Sequence, residues 1–415
     1  MNVKRSQKNN LGRHVFFALI LGIITAQLVR MFITDPVMLD KIAEQFNVVT
    51  HLFLRLIQMI IAPVVFATLV VGISKLSDAK SLGRIFLKAF IIFLVGSILA
   101  LAIGLIVVDF FEPGKQLGHH LIANQPAVKS VQAMTLSSNL TFKSFIEQVI
   151  PSSIIHSFAN NYIIHIVVFS IFFGVAGVSI GKPVEPIFHF FELIHKLMFR
   201  VTDYVMLVAP AAVLSAVAAI IIKSGFGVLS LYLIYLAEFM ICVILIWIAM
   251  IVIGYLILGN MVFQLLKVLA NSLGIAFSTA SSEAVLPSVI EQLEKLKVPP
   301  KISGFIMPLG YSFNLIASLL NCIFATMFIV QAHGHSLNIW QQLSLCLVLL
   351  VTSKGIAGIP RASLVIVAAT LTTLGIPEAA VLILFPIDGF LDMFRSATNV
   401  FANALSATII DKWER

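Results

Sequence analysis

Residues 278–283 read Ser-Thr-Ala-Ser-Ser-Glu and interrupt an apolar run that covers residues 262–287. The same plan recurs within residues 340–374, where residues 352–361 read Thr-Ser-Lys-Gly-Ile-Ala-Gly-Ile-Pro-Arg. A membrane-crossing helix needs roughly 20 apolar residues, and we expect each half of these broken runs to be too short to cross. Both interruptions therefore predict re-entrant hairpins rather than simple spans.

A long apolar segment follows each interrupted run, at residues 302–330 and 378–410. Two hairpin-plus-helix units in series predict internal repeats whose broken segments meet near the middle of the membrane. Non-helical backbone at that depth leaves N–H and C=O groups unpaired unless protein, water or a ligand binds them. The breaks therefore indicate a binding site, although Ser and Gly could instead serve only close helix packing.

The composition of the whole chain indicates a polytopic membrane protein. The chain has 415 residues, of which 60% are hydrophobic and 11% are charged, with 27 basic and 19 acidic side chains. A soluble domain is typically about 25% charged, so this surface could not face water. The basic residues lie in short clusters between apolar runs, which favours topology signals over nucleic-acid binding. The three cysteines lie inside apolar runs and predict neither a disulfide nor a zinc site.

Apolar runs before residue 260 predict six further helices, and their flanking charges predict the topology. Basic residues precede the first run, so we expect an uncleaved first helix, cytoplasmic N- and C-termini, and an inner (plasma) membrane location. The polar loop at residues 112–161 is expected outside the cytoplasm. The six runs lie near residues 15–33, 48–74, 86–111, 162–181, 197–222 and 228–258.

The last predicted helix carries its strongly polar residues in one stripe about 100° wide. An Asp or Arg at the bilayer centre is unfavourable by about 2.5 to 3.5 kcal/mol, so this stripe cannot face lipid. A guanidinium binds a carboxylate with two hydrogen bonds and an Asp accepts from an ammonium, which predicts an acidic amino acid as the solute. Alternatively, two of these residues at i and i+3 could neutralise each other. The stripe consists of Asp388, Asp392, Arg395, Ser396, Asn399 and Asn403.

Four segments of the chain resemble the signature segments of the dicarboxylate/amino acid:cation symporter family, the glutamate transporter family. They read Ser-Thr-Ala-Ser-Ser-Glu-Ala-Val-Leu-Pro (278–287), Pro-Leu-Gly-Tyr-Ser-Phe-Asn (308–314), Thr-Ser-Lys-Gly-Ile-Ala-Gly-Ile-Pro (352–360) and Asp-Met-Phe-Arg-Ser-Ala-Thr-Asn-Val (392–400). The resemblance runs from the first helix to the C-terminus and is strongest to the bacterial proton/sodium-glutamate branch. It implies an all-α fold of eight transmembrane helices plus two re-entrant helical hairpins.

The resemblance also implies a homotrimer in which a transport domain slides across the membrane as an elevator against a static scaffold. The second hairpin is the outer gate in that family. The implied division is 1–85 (scaffold helices 1 and 2), 86–111 (transport-domain helix 3), 112–222 (extracellular loop and scaffold helices 4 and 5), 223–260 (transport-domain helix 6), 261–300 (first hairpin), 301–333 (helix 7), 334–376 (second hairpin) and 377–415 (helix 8 and cytoplasmic C-terminus).

Roles carried over by motif position concern the substrate and the sodium ions. Arg395 resembles the residue that holds the side-chain carboxylate of the substrate, and Asp392 the one that holds its amino group. The full implied substrate set is Ser281, Ser282, Ser318, Ile359, Asp392, Arg395, Ser396 and Asn399. The implied sodium ligands are Gly310, Ser312, Asn314, Ser353, Lys354, Ile356, Asn399 and Asn403.

A separate argument from charge gives candidate proton carriers. A carboxylate buried without its cation has a raised pKa. The candidates are Glu283, Asp388 and Asp392.

The sequence departs from the family pattern at three positions. The seventh-helix motif usually contains an Asp, but Ile316 stands there, and Gly96 stands at the third-helix position where the family usually has a Thr. A hard cation needs oxygen ligands and negative charge, so we expect this deep sodium site to be lost. Arg361 at the second hairpin tip replaces a small residue, and its cation could either bind a dianion or remain at the aqueous mouth.

The sequence thus predicts a secondary active symporter that imports glutamate or aspartate on sodium or proton gradients. It predicts no enzyme activity and no cofactor beyond these coupling ions, with sodium as the only metal. A C4-dicarboxylate or neutral amino acid carrier on the same fold is the alternative, although succinate would leave Asp392 unpaired. An intramembrane hydrolase is a remote alternative, because two acids on adjacent turns of one helix lack the facing geometry of a dyad.

Overall fold

The computed structural model describes residues 2–74, 80–115, 150–160, 163–353 and 362–415. Throughout these residues the regular structure is helical. Short 3-10 helices cover Lys182–Val184, Glu283–Val285 and Glu378–Leu384. The α-helices are α1 (Asn2–Phe32), α2 (Pro36–Ser74), α3 (Lys80–Phe111), α4 (Ile154–Ala159), α5 (Ile163–Ile180), α6 (Glu185–Met206), α7 (Ala209–Ser224), α8 (Gly227–Leu258), α9 (Met261–Thr279), α10 (Leu286–Lys295), α11 (Pro300–Phe313), α12 (Ile316–Ala332), α13 (Ile339–Thr352), α14 (Ala362–Thr373) and α15 (Asp388–Glu414).

Among the described residues, four segments are long and apolar enough to cross a membrane: Arg84–Phe111, Leu229–Leu258, Met261–Thr279 and Pro300–Ala332. Shorter apolar helices accompany them. The chain is therefore an all-helical, polytopic membrane protein. One expectation about length is wrong: α9 has 19 residues and a length of about 28 Å, so this half of the first broken run could cross by length alone.

The helices pack in two sets. In the first set, α2 packs against α5, α6 and α7, and α1 packs along α7. In the second set, α15 packs against α8, α9, α11 and α12, while α3 packs on α12 and α8. The second set contains the buried polar residues of α15 and so positions the candidate site.

The polar interruption at residues 278–283 ends a helix, as its sequence predicts. Helix α9 ends at Thr279, and Ala280 takes a left-handed conformation with φ 47°. The chain resumes as the 3-10 turn Glu283–Val285 and then as α10. The second interruption also ends a helix, because α13 stops at Thr352 and α14 starts at Ala362. Residues 354–361 between them lie outside the described part of the chain.

Three predicted helices differ from the observed ones. The single helix expected at residues 197–222 is divided between α6 and α7, because Pro210 lies in the first turn of α7 and lacks the N–H that would continue a helix. The helix expected at residues 302–330 is broken at Asn314 and Leu315. The helix expected from residue 378 starts as a 3-10 segment, and α15 begins only at Asp388, two residues after Pro386.

The break between α11 and α12 is stabilised by a side chain of another helix. The backbone N–H of Ala317, in the first turn of α12, donates to Asn399 Oδ1 at 2.9 Å. The first four N–H groups of a helix have no partner within that helix. Asn399 on α15 supplies one such partner, so the break and the polar stripe of α15 form one structural unit.

Candidate functional site

Helix α15 places its charged residues inside the protein rather than toward lipid. Arg395 is 1% exposed and Asp388 is 0% exposed. Ser396, Asn399 and Asn403 are also buried. The whole stripe predicted from the spacing therefore faces protein.

The centre of this stripe is a three-residue ion cluster. Arg395 Nη2 lies 2.9 Å from Asp388 Oδ1 and 3.1 Å from Asp392 Oδ1. Arg395 Nη1 donates to the hydroxyl of Ser363, in the first turn of α14. The neutralisation of Arg395 by acids of its own helix, which the spacing left open, is present in the structure.

The cluster has more acids than cations. Two carboxylates and one guanidinium carry a formal charge of −1, and Arg395 Nε has no hydrogen-bond partner among the described residues. The side chain of Asp392 is 17% exposed, whereas that of Arg395 is 1% exposed. Asp392 is therefore the acid of the cluster that a solute with an ammonium group could reach most readily.

A cluster of asparagines lies further along α15. Asn314 Nδ2 donates to Asn403 Oδ1 at 2.8 Å. Gly310 lies directly against Asn403, since a Cβ atom on this glycine would collide with the Asn403 amide. Asn314 Oδ1 and Asn403 Nδ2 are buried and have no hydrogen-bond partner within the described chain. The structure thus brings together three of the residues assigned to sodium, with one amide oxygen still available.

The side-chain amide of Asn399 forms hydrogen bonds through both its oxygen and its nitrogen. In addition to accepting from Ala317, it donates through Nδ2 to Ser318 Oγ at 3.2 Å. Ser318 and Asn399, both assigned to the substrate, therefore contact each other. This contact joins the start of α12 to the middle of α15.

The departure at Ile316 has a structural counterpart in α3. A Cβ atom on Gly96 would lie 2.6 Å from Ile316 Cδ1 and 3.9 Å from Asn314 Oδ1. Because glycine has no side chain, the Ile316 side chain occupies the space beside Gly96. Beside the available amide oxygen of Asn314 the protein presents a methyl group instead of a carboxylate.

The segment from α9 to α10 contributes partly buried residues near α15. Ser282 is buried and Ser281 is half-buried, and both follow the end of α9. Glu283 is half-buried and lies within electrostatic range of the Tyr311 hydroxyl on α11. Phe277 of α9 packs edge-on against Phe394 of α15, with ring centroids 4.9 Å apart. This contact holds the end of α9 beside α15.

Several predicted residues cannot be placed. Lys354, Ile356, Ile359 and Arg361 lie outside the described residues, and so does the side chain of Ser312 on α11. Ser353 is buried, and its hydroxyl donates to the Leu350 carbonyl at 3.0 Å. The assignments of these residues to substrate or sodium stay predictions.

Ser363 and Asn321 also belong to this site, although neither was predicted from the sequence. Ser363 accepts from Arg395 and also from Asn321 Nδ2, at 3.4 Å. For Ser363 the sequence offers a signal, since this serine stands two residues after the last residue of the second polar interruption. Among the described residues, no group of three or more His, Cys, Asp and Glu side chains is placed to hold a metal ion.

Residues 11–413 match the model of the sodium:dicarboxylate symporter family. The proton/sodium-glutamate symport protein of Bacillus caldotenax is 36% identical over 415 residues, which cover 98% of this chain and 95% of that protein. The proton/glutamate-aspartate symporter of Escherichia coli K12 is 36% identical, with 98% of this chain and 93% of that protein covered. The C4-dicarboxylate transport protein of Pectobacterium atrosepticum is 32% identical, with coverage of 98% and 94%. All three are named as transport proteins rather than enzymes.

Proposed function

Because this chain belongs to the sodium:dicarboxylate symporter family, we propose that it imports glutamate or aspartate by secondary active symport, driven by a proton gradient, a sodium gradient or both. The relatives named for proton-coupled or sodium-coupled glutamate transport support this substrate class. The protein acts in the inner membrane with both termini in the cytoplasm. It needs no cofactor beyond the coupling ions.

The observation that carries the proposal is the ion cluster of α15. Arg395 provides a guanidinium for the side-chain carboxylate of the substrate, with Nε unoccupied among the described residues. Asp392, the more exposed of the two acids, provides a carboxylate for the substrate ammonium. Binding would exchange internal ion pairs for pairs with the solute, so that Arg395 and Asp392 each keep an oppositely charged partner. Asn399, Ser318, Ser396, Ser281, Ser282 and Ile359 complete the proposed substrate site.

An elevator mechanism is part of the proposal. The helices of the first packing set, α1, α2, α5, α6 and α7, form the static scaffold of a homotrimer, and the second set forms the moving transport domain. The packing within each set supports this division. The fold is then eight transmembrane helices plus two re-entrant hairpins, with the second hairpin as the outer gate.

Ion coupling is proposed to use fewer sodium ions than in relatives that keep the seventh-helix Asp. The Ile316 side chain fills the space beside Gly96 and provides no oxygen ligand. The remaining sodium sites use Gly310, Asn314, Asn399 and Asn403, and the region of Ser312, Ser353, Lys354 and Ile356. Glu283, Asp388 and Asp392 stay candidate proton carriers.

Uptake into proteoliposomes tests both substrate and ions. We expect labelled glutamate and aspartate to accumulate when a proton or sodium gradient is imposed, with each gradient applied separately. The absence of accumulation under both gradients would contradict the proposal. A sodium stoichiometry equal to that of relatives with the seventh-helix Asp would contradict the predicted loss of one site.

A C4-dicarboxylate such as succinate is the second candidate, which the relative from Pectobacterium atrosepticum favours. The variant Asp392→Asn separates the two substrate classes. If the solute is an amino acid, this variant loses glutamate uptake because the ammonium loses its partner. If the solute is a dicarboxylate, succinate uptake by the wild type exceeds glutamate uptake and the variant retains it. A neutral amino acid carrier would transport alanine or serine in preference to both.

A further inference from the structure

Glu238 is a charged side chain of α8 that has no role in the proposed substrate or sodium sites. It is the one charged residue in the 30-residue apolar span Leu229–Leu258. At 1.5 Å per residue it lies about 14 Å from the start of this span, well within the hydrocarbon depth of a membrane. Glu238 is nevertheless only 6% exposed, so it faces protein rather than lipid.

No cation of the described residues is paired with the carboxylate of Glu238. Its Oε2 atom also has no hydrogen-bond partner among the described residues. Helix α8 packs against α3, α7, α9, α12 and α15. The charged and titratable side chains described on these helices either bind elsewhere or are exposed.

The cations and acids of the packed helices have the following partners. On α3, Arg84 and Lys88 bind Glu414, and Asp109 accepts from Gln342. On α7, Lys223 pairs with Asp40, and on α9, Lys267 is exposed. On α12, Cys322 donates to the Ser363 carbonyl. On α15, Arg395 pairs with Asp388 and Asp392, Lys412 donates to the Ile257 carbonyl, and Asp411 pairs with Arg415.

Glu238 belongs to a stripe of titratable groups on the inner face of α8. Tyr232, Tyr235 and Cys242 are buried on the same face, at helical spacings of three to four residues. The hydroxyls of Tyr232 and Tyr235 also lack hydrogen-bond partners among the described residues. Tyr235 lies within electrostatic range of Arg395 and Asp388, and Cys242 within that of Glu238. The stripe therefore leads from Glu238 toward the ion cluster of α15.

A purely structural role does not explain this arrangement. Buried polar groups that serve stability are hydrogen-bonded, and an apolar side chain would fill the same space without an unpaired oxygen. An ionisable residue at membrane depth is most often part of an ion or proton pathway. A carboxylate that is paired with no described cation, and that shares its helix face with two buried phenol groups, is suited to hold a proton.

We propose that Glu238 is a proton-binding site of the transport cycle. The carboxylate takes up one proton from the outer side to become a neutral carboxylic acid. In this neutral form it crosses with the substrate, and it then releases the proton to the cytoplasm and becomes a carboxylate again. This inference rests on the proposed symport function and assigns the proton to a group remote from the substrate contacts.

The variant Glu238→Gln tests the site, because glutamine resembles the protonated acid and cannot release a proton. We expect glutamate uptake driven by an inward proton gradient to fall about tenfold or more. Exchange of external for internal glutamate, which moves no net protons, is retained and shows that the variant is folded. Glu291→Gln, at an exposed glutamate of α10, is the matched control and retains both activities.

Three outcomes have distinct meanings. Proton-driven uptake by Glu238→Gln at the wild-type level contradicts the inference and leaves the symport proposal intact. Wild-type uptake that responds to a sodium gradient but not to a proton gradient also contradicts the inference and leaves the symport proposal intact. A wild type that transports neither glutamate nor aspartate overturns the proposed function.

A measurement on the purified protein examines Glu238 independently of transport. We expect the infrared spectrum of the wild type to contain a protonated carboxyl band that titrates with pH and is absent from Glu238→Gln. Identical spectra would contradict the inference. If Glu238→Gln does not fold, Glu238→Asp retains a titratable group, and the band should persist at a shifted position; an unchanged band would again contradict it.

Discussion

The two packing sets of this protein bury different chemistry. Where α1 meets α7, small residues allow close contact, and Gly22 lies against the backbone carbonyl of Leu214. The nearby Arg30 lies near a helix end and donates to the carbonyls of Ile221 and Ile222. Around α15, by contrast, a fully buried Arg395 pairs with two acids. The difference indicates that the first set is built for tight apolar packing and the second for exchange of ionic partners.

We expect the largest effect when one arginine of each packing set is replaced and the two variants are compared. Arg395→Ala leaves Asp388 buried without its cation, and loss of one partner of a buried pair destabilises by about 3 to 5 kcal/mol. We expect acidic amino acid uptake to be abolished and neutral amino acid uptake to increase. Arg30→Ala removes only hydrogen bonds to carbonyls at a helix end and should retain uptake.

Uptake and thermal unfolding in detergent measure these effects. Glutamate uptake by Arg395→Ala at the wild-type level would refute the assigned role of this residue. A larger loss of uptake in Arg30→Ala than in Arg395→Ala would indicate that the substrate site lies in the first packing set and not in the second.

A methyl group added to one glycine of each region sharpens the comparison further. In Gly22→Ala the new Cβ atom lies 2.7 Å from the Leu214 carbonyl oxygen, which is backbone and cannot move independently. In Gly96→Ala it lies 2.6 Å from Ile316 Cδ1, the tip of a side chain that can rotate. Overpacking typically destabilises by about 1 to 3 kcal/mol, and we expect Gly22→Ala to lie at the upper end.

The partner substitution provides the control for the second glycine. Ile316→Val removes the Cδ1 atom, so the double variant Gly96→Ala/Ile316→Val should recover most of the unfolding temperature lost in Gly96→Ala. If the double variant is no more stable than Gly96→Ala, the two side chains do not compete for the same space.

The smallest expected effect lies at the membrane surface, where the end of α15 is fixed to α3. Arg84 and Lys88 each lie 2.6 Å from the carboxylate of Glu414. Hydrogen bonds from these cations hold the pKa of Glu414 below its ordinary value of 4.5. The stabilisation is thus fully present above that value and is lost as the pH falls through the lowered pKa. At neutral pH we expect Glu414→Gln to decrease the unfolding temperature by about 2 °C or less.

A pH series of unfolding temperatures checks this prediction. The difference between the wild type and Glu414→Gln should vanish as the pH falls below the lowered pKa of Glu414. A difference that grows toward acid pH would show that the carboxylate destabilises the folded protein.

The sequence predicted most of the polar stripe of α15, because a helical repeat fixes which side chains share a face. It also located both interruptions, since polar residues end apolar runs. The break at Asn314 was missed because an apolar run does not reveal where a side chain of another helix replaces a backbone hydrogen bond. The break before α7 was missed although Pro210, which lacks an N–H, is a readable signal. Glu238 was overlooked, although a lone acid in a long apolar span is itself a signal.

What the sequence alone determined is the class of the protein, the position of its polar segments and the set of residues that could bind an acidic amino acid. These follow from composition and spacing, which are properties of a single chain segment. Only the tertiary structure decided that Asp388 and Asp392 share Arg395, that Ser363 joins them and that Ile316 fills the space beside Gly96. The contacts of Ser363 and Ile316 join different helices, so they depend on packing that no local pattern records. The spacing within α15 allowed the ion pairs of Arg395, but only the structure shows that they form.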